Sequence, residues 1–225
     1  MRTRAVARIL TAAFALAATT TCVIEPPPES PRNFCRHLPT VVGNKWEYNV
    51  TVDSKFSPRR EYKLTFEITE AKTGDLDVPR AYVITVTPEG GLPEQLTVAA
   101  ADDKCYVERA GWAYLLEDDM KVGVRSQTGL IVDRPLEYRR DVEIKVPTRP
   151  PQPAIFKCRE LFYDNGQEFK PETWRELYAD GVGLVYYENK FKQYRVDPFE
   201  VVDWRVVTYE LTSYSVQRDK WKTPF

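Results

Sequence analysis

From Glu61 to Thr69 the chain alternates strictly. Tyr62, Leu64, Phe66 and Ile68 are apolar, and Glu61, Lys63, Thr65, Glu67 and Thr69 are charged or polar. Successive side chains of an extended strand point to opposite faces, so this pattern fits a half-buried β-strand and no helix. The same period recurs at Trp46, Tyr48 and Val50, at Tyr82, Ile84 and Val86, at Val142, Ile144 and Val146, and at Val207, Tyr209 and Leu211. Turn-forming groups interrupt it: Ser57-Pro58-Arg59, Lys72-Thr73-Gly74-Asp75, Pro88-Glu89-Gly90-Gly91 and Asp164-Asn165-Gly166. Further strands are expected at Gln95–Ala100, Lys104–Arg109, Trp112–Leu116, Gly129–Asp133, Ala154–Tyr163, Gly183–Glu188 and Lys192–Val196. Lys170–Tyr178 fits either a strand or one helical turn. Pro147–Pro153 holds four prolines and reads as a stiff loop. Strands and turns at this spacing predict an all-β domain of about 10 to 12 antiparallel strands, with one face buried and one largely solvated.

The first thirty residues set the address. Arg2, Arg4 and Arg8 precede an apolar run from Ile9 to Ala18, the layout of an export signal. Cys22 follows directly, and Pro26-Pro27-Pro28-Glu29-Ser30-Pro31 then make a stiff spacer. Two processing routes are open. Acylation of Cys22 would leave a lipoprotein tethered to a bacterial membrane, facing the periplasm or the cell surface. Cleavage after Ala15-Leu16-Ala17 would release a soluble secreted protein. The lipoprotein route is preferred, although Thr19 and Thr21 depart from the usual residues before such a cysteine. Val23 after Cys22 favours the outer membrane if enterobacterial-type sorting applies. The expected organisation is a signal peptide at 1–21, a Pro-rich tether at 22–33 and one all-β domain at 34–225.

The domain of about 190 residues is long enough for a full core. A net charge of −1 lacks the basic excess of a nucleic-acid binder, so no nucleic-acid partner is expected. There are four cysteines: Cys22, Cys35, Cys105 and Cys158. Export permits disulfides. Cys105 and Cys158 both sit in strand-like runs and are the favoured pair, with buried free thiols as the alternative.

Three pieces carry a resemblance. Val42-Gly43-Asn44-Lys45-Trp46-Glu47-Tyr48 stands near the domain start. Val146-Pro147 is followed by Pro153-Ala154-Ile155-Phe156-Lys157-Cys158. Tyr178-Ala179-Asp180-Gly181-Val182-Gly183-Leu184-Val185 precedes Leu211-Thr212-Ser213-Tyr214. In this order the chain resembles a group of uncharacterised bacterial exported lipoproteins with VGxxWxY and YAxGVGxV elements. The resemblance implies a strongly curved antiparallel sheet, like the half-barrels of envelope lipid and lipoprotein carriers. It implies no activity. Gly43, Gly181 and Gly183 are the candidate turn glycines, since each stands where a tight turn before a strand needs positive φ.

Catalytic chemistry is sparse. The one histidine, His37, lies beside the spacer and is expected at a loop surface. No nucleophile elbow, phosphate loop or dinucleotide loop occurs. Asp102-Asp103 and Glu117-Asp118-Asp119 read as solvated turns, with a weak Ca²⁺ loop as the alternative. No catalytic residue, metal ligand or cofactor is assigned, and no enzyme is expected. The preferred function is a cell-envelope lipoprotein that binds an apolar ligand or an envelope protein, with Trp46, Tyr48 and Trp204 as candidate ligand-facing aromatics. The alternatives are a structural subunit of an envelope assembly and a carboxylate-dependent extracytoplasmic hydrolase.

Overall fold

The computed structural model describes residues 35–73, 78, 80–101, 103–152 and 154–217. The expected signal peptide, the tether with Cys22 and the first domain residue lie outside them. So do Gly74-Asp75 and Asp102. Every regular element among the described residues is a strand: β1 (Lys45–Ser54), β2 (Arg60–Thr73), β3 (Arg80–Pro88), β4 (Glu94–Ala101), β5 (Lys104–Glu108), β6 (Trp112–Glu117), β7 (Glu137–Lys145), β8 (Ile155–Asp164), β9 (Glu172–Ala179), β10 (Gly183–Arg195) and β11 (Glu200–Ser215). All pair antiparallel in one sheet, in the order β6-β5-β4-β3-β2-β1-β11-β10-β9-β8-β7. The fold is therefore two meanders, β1 to β6 and β7 to β11, joined where the first strand pairs with the last.

Three expectations change. Gly129–Asp133 forms no strand. Gly183–Glu188 and Lys192–Val196 belong to one continuous strand, β10. Lys170–Tyr178 resolves as strand β9.

The alternation written in β2 continues across its neighbours. Trp46 pairs with Phe66, Tyr48 with Leu64 and Val50 with Tyr62. Phe66 pairs in turn with Val86, and Ile68 with Ile84. Paired residues of an antiparallel ladder share a face, so these side chains form one apolar inner surface. Trp46, Tyr48, Val50, Phe66 and Ile68 are buried there with Tyr178, Leu184 and Leu211. Bulges in β1–β11, β2–β3, β5–β6, β7–β8, β9–β10 and β10–β11 bend the sheet.

The two edges, β6 and β7, are joined by residues 118–136, which run down the seam between them. Gln127 N–H donates to Tyr114 O of β6 (2.7 Å). Ser126 N–H donates to Leu136 O (2.8 Å), Tyr138 N–H to Val124 O (2.9 Å) and Gly123 N–H to Tyr138 O (2.8 Å). One loop thus satisfies parts of both edges. The sheet is not closed by strand pairing; the loop fills the gap. Exposed strand edges invite association, and this loop covers both in part.

The ends of the sheet differ. At one end, called closed here, residues 35–44 cross the core. Cys35 is disulfide-bonded to Cys105 of β5, and Cys158 is a free buried thiol. This corrects the expected Cys105–Cys158 pair. Both lie on strands, but Cys158 stands on β8, eight places from β5 in the sheet order. The sheet, its core and its disulfide all lie within residues 35–217. On the β7–β9 face, Glu160 sits between two arginines, 2.8 Å from Arg140 Nε and 2.5 Å from Arg175 Nε, with its side chain 5% exposed.

The Cys35–Cys105 bridge spans 70 residues, and a loop of that size is worth about 4 kcal/mol of chain entropy in the unfolded state. Cys35→Ser is expected to lower the urea midpoint by a corresponding amount, and Cys158→Ala to leave the bridge intact in a non-reducing peptide map. A map linking Cys105 to Cys158 would refute the pairing.

Candidate functional site

The loop that closes the seam is clamped from both sides. From β9, the Glu176 carboxylate accepts Leu130 N–H and Ile131 N–H, both at 2.9 Å, and Tyr178 O–H at 2.5 Å. From the end of β5, Arg109 donates to Leu130 O (3.0 Å) and Gly129 O (3.1 Å). Glu176 is fully buried, and burial pushes its carboxyl above the usual range against the opposing pull of its hydrogen bonds. A Cβ on Gly129 would meet Glu176 Oε1 at 2.6 Å and Leu136 Cδ1 at 2.8 Å. Only glycine fits there.

At the closed end a cleft of about 450 Å³ is lined by Arg36, His37, Asp141, Val142, Cys158 and Arg159 among others. Asp118 organises its wall. Its carboxylate accepts Arg36 N–H (3.0 Å), lies 3.3 Å from His37 Nδ1 and ion-pairs with Arg36 Nε. Arg159 donates to Glu117 O at 2.5 Å and also to Asp118 O. His37 is buried, not a surface loop residue, because Asp118 gives its ring a partner away from water. Glu117-Asp118-Asp119 is neither a freely solvated turn nor a calcium loop: its central carboxylate and two of its carbonyls are taken by Arg36, His37 and Arg159. Burial pushes the Cys158 thiol up to about 12, so it is protonated at neutral pH and unsuited to attack as a thiolate.

At the opposite, open end the inner face is graded in rows. Glu172, Phe191, Arg205 and Ser54 lie in register at the mouth. Trp174, Asn189, Val207 and Val52 follow, then Glu176, Tyr187, Tyr209, Val50 and Tyr62. The Tyr187 and Tyr209 rings pack at 4.8 Å, and burial raises the Tyr209 phenol to about 12. A cleft of about 390 Å³ at the mouth is lined by Ser54, Phe56, Glu172, Phe191, Asp203 and Arg205.

The expected ligand-facing aromatics lie elsewhere. Trp46 and Tyr48 are 2% and 1% exposed and fill the core. Trp46 Nε1–H donates to Val182 O (2.5 Å) and Tyr48 O–H to Leu184 O (2.8 Å), which leaves neither group for a ligand. Trp204 pairs with Lys192, three residues from inward-facing Val207, so it stands on the outer face. Gly43, Gly181 and Gly183 take φ of +91°, +65° and +102°. Glu176, Arg109 and Gly129 were missed by the sequence reading. A lone Glu in the run Trp174-Arg175-Glu176-Leu177-Tyr178 was the available signal.

No family model matches the chain, and no curated protein does. Two crystal structures are similar in fold. One is a Bacteroides fragilis protein classed as exported, with a YmcC-like fold: 12% identity, TM-score 0.50, covering 81% of this chain and all of that one. The other is a Parabacteroides distasonis protein classed as a lipoprotein: 11% identity, TM-score 0.47, with the same coverage. At this identity the first likeness shows the fold, a YmcC-like arrangement of one curved antiparallel sheet, and the second adds nothing to it.

Glu176→Ala strands two buried N–H donors and is expected to cost about 2 to 4 kcal/mol by urea unfolding. Gly129→Ala should cost about as much through steric conflict. Because the folded-state pKa of Glu176 is raised, the folded protein holds this proton more tightly than the unfolded chain. Its contribution therefore improves as pH falls toward the unfolded carboxyl range and worsens as pH rises through the folded pKa. The stability gap between wild type and Glu176→Gln should accordingly widen in favour of wild type from pH 7.5 to pH 5. A gap independent of pH would contradict the upward shift of the Glu176 carboxyl.

Proposed function

We propose that this chain is an exported, non-enzymatic cell-envelope lipoprotein, tethered through Cys22, that makes contacts through the rim of its open end. Its motifs' resemblance to exported lipoproteins supports this reading. The observation that carries the contact face is the location of exposed apolar side chains. Phe56, Leu92, Phe169, Val196 and Phe199 all stand on turns at the open end, opposite the end where the tether enters at Cys35. The interior behind the rim is packed by the chain's own Trp46, Tyr48, Tyr178 and Leu211, which favours a surface contact over an acyl chain held deep in the hollow. The Cys35–Cys105 disulfide fits an oxidising, extracytoplasmic compartment.

The non-enzymatic reading rests on how the reactive groups are used. Glu176 is committed to backbone N–H groups and His37 lies against Asp118, while the Cys158 thiol is held protonated.

Intact mass of the protein from native membranes should show acylation at Cys22, lost in Cys22→Ala; a mass fitting an N-terminus near Ala18 would overturn the tether. A photo-cross-linking residue placed at Phe199 in cells is expected to give adducts, and one at Ile155, exposed at the closed end, none. Equal labelling at both positions would remove the open end as the contact face.

A further inference from the structure

We infer that the rim of the open end seats on a lipid surface, an inference that rests on the contact-face reading above and names the partner. Exposed large hydrophobics scattered singly over a protein need no explanation. Among the described residues, five of the ten stand on turns at the open end and Val201 lies beside them on β11, while Val42, Val122, Val124 and Ile155 lie elsewhere. Of the five turns at the open end, four present at least one: β1–β2 gives Phe56 (73% exposed), β3–β4 Leu92 (86%), β8–β9 Phe169 (41%) and β10–β11 Val196 (62%) with Phe199 (68%). All three exposed phenylalanines of the described residues are among them.

The β10–β11 hairpin carries the group furthest out. Lys55 N–H donates to Trp204 O, so the β1 end stops level with Trp204, while β10 and β11 pair on to Arg195 and Glu200. That extension is roughly 13 Å at the rise of a strand. Tyr194 stacks on Phe199 (5.1 Å, 9°) and its N–H donates to Phe169 O, which stiffens the tip and fixes Phe169 beside it.

The form of this apolar surface selects its partner. It sums to roughly 600 Å², taking about 200 Å² for a full aromatic side chain, but it is divided among separate protruding turns. Between them lies a mouth of mixed character, where Glu172, Asp203 and Arg205 stand with Phe191 and Phe56. A protein interface of standard size offers about 800 Å² per partner around a continuous apolar centre. Separate convex apolar tips around a mouth that carries charges instead match a surface that deforms around each tip, as the boundary between headgroups and acyl chains does. The rim charges are mixed: Lys55, Arg59, Lys170 and Lys192 stand with Glu89, Glu168 and Asp197, and Arg195 is paired with Glu200. Seating is therefore driven by apolar insertion rather than by attraction to anionic lipid.

The test uses residues 23–225, which keep the whole sheet, core and disulfide and carry no acyl chain once Cys22 is removed. Flotation with phosphatidylcholine vesicles should recover wild-type protein with the lipid, little changed by added salt or by 20% phosphatidylglycerol. Phe56→Ser/Phe199→Ser is expected to reduce the bound fraction at least tenfold; these side chains are exposed, so the fold is retained. Val42→Ser/Ile155→Ser, at the closed end, is expected to leave binding unchanged. Absence of wild-type flotation, or equal loss in both variants, overturns the lipid inference. If flotation fails while the Phe199 cross-linker captures protein in cells, the lipid partner is wrong and the contact face stands; if both fail, both readings fall.

Discussion

One carboxylate without access to water fastens the loop that closes the seam of this sheet. The sheet is continuous through β1 and β11, but its edges would otherwise face each other across an open seam. The loop 118–136 occupies that seam, and its middle is peptide backbone rather than ladder. Glu176 from one meander takes the N–H groups of Leu130 and Ile131, and Arg109 from the other takes the carbonyls of Gly129 and Leu130. Buried backbone must find partners, and here the partners are two ionisable side chains, an acceptor and a donor, on opposite halves. The apolar side chains Leu130 and Leu136 then complete the core that the clamp has closed.

This arrangement also fixes what the molecule presents to its surroundings. With the seam filled and the closed end crossed by residues 35–44, the middle of the inner face is buried, as Trp46, Tyr48, Tyr178 and Leu211 show. The gradient from Leu211 through Tyr209 and Val207 to Arg205 along β11 marks the passage from core to water. Large apolar side chains on the turns beyond that gradient gain nothing from the fold itself. The exposed Phe56, Leu92, Phe169, Val196 and Phe199 at one rim are what a packed interior leaves unexplained, and the contact proposed above would account for them.

Much of the sheet was legible in the sequence because alternation reports directly on half-burial. β2 and β11 declare themselves through Leu64, Phe66 and Ile68 and through Val207, Tyr209 and Leu211. β9 was ambiguous for a physical reason: it is covered on both faces, so Leu177 and Ala179 are as buried as Trp174 and Tyr178, and Glu176 sits at a core position. The run Leu130-Ile131-Val132 has the composition of a strand, but Glu176 and Arg109 occupy the backbone groups a ladder would need. Periodicity identified the face carrying Trp46 and Tyr48, yet whether that face meets a ligand or the chain's own side chains depends on the β9–β10 turn more than 130 residues away. Pairing of Cys105 likewise depends on where residue 35 crosses the closed end, which no local pattern encodes. The site residues that proved informative, Glu176, Arg109 and Asp118, act through contacts distant in sequence. The exposed rim is scattered over four turns that only the topology brings to one end.

The clamp can be tested most directly by native-state hydrogen exchange at the Leu130 and Ile131 amides. If the Glu176 carboxylate holds them as the core element that closes the sheet, they exchange only through global unfolding, with protection matching that of Val50 and Phe66. Exchange at the rate of an exposed loop, while Val50 and Phe66 stay protected, would show that the seam opens independently and that the sheet does not depend on the clamp.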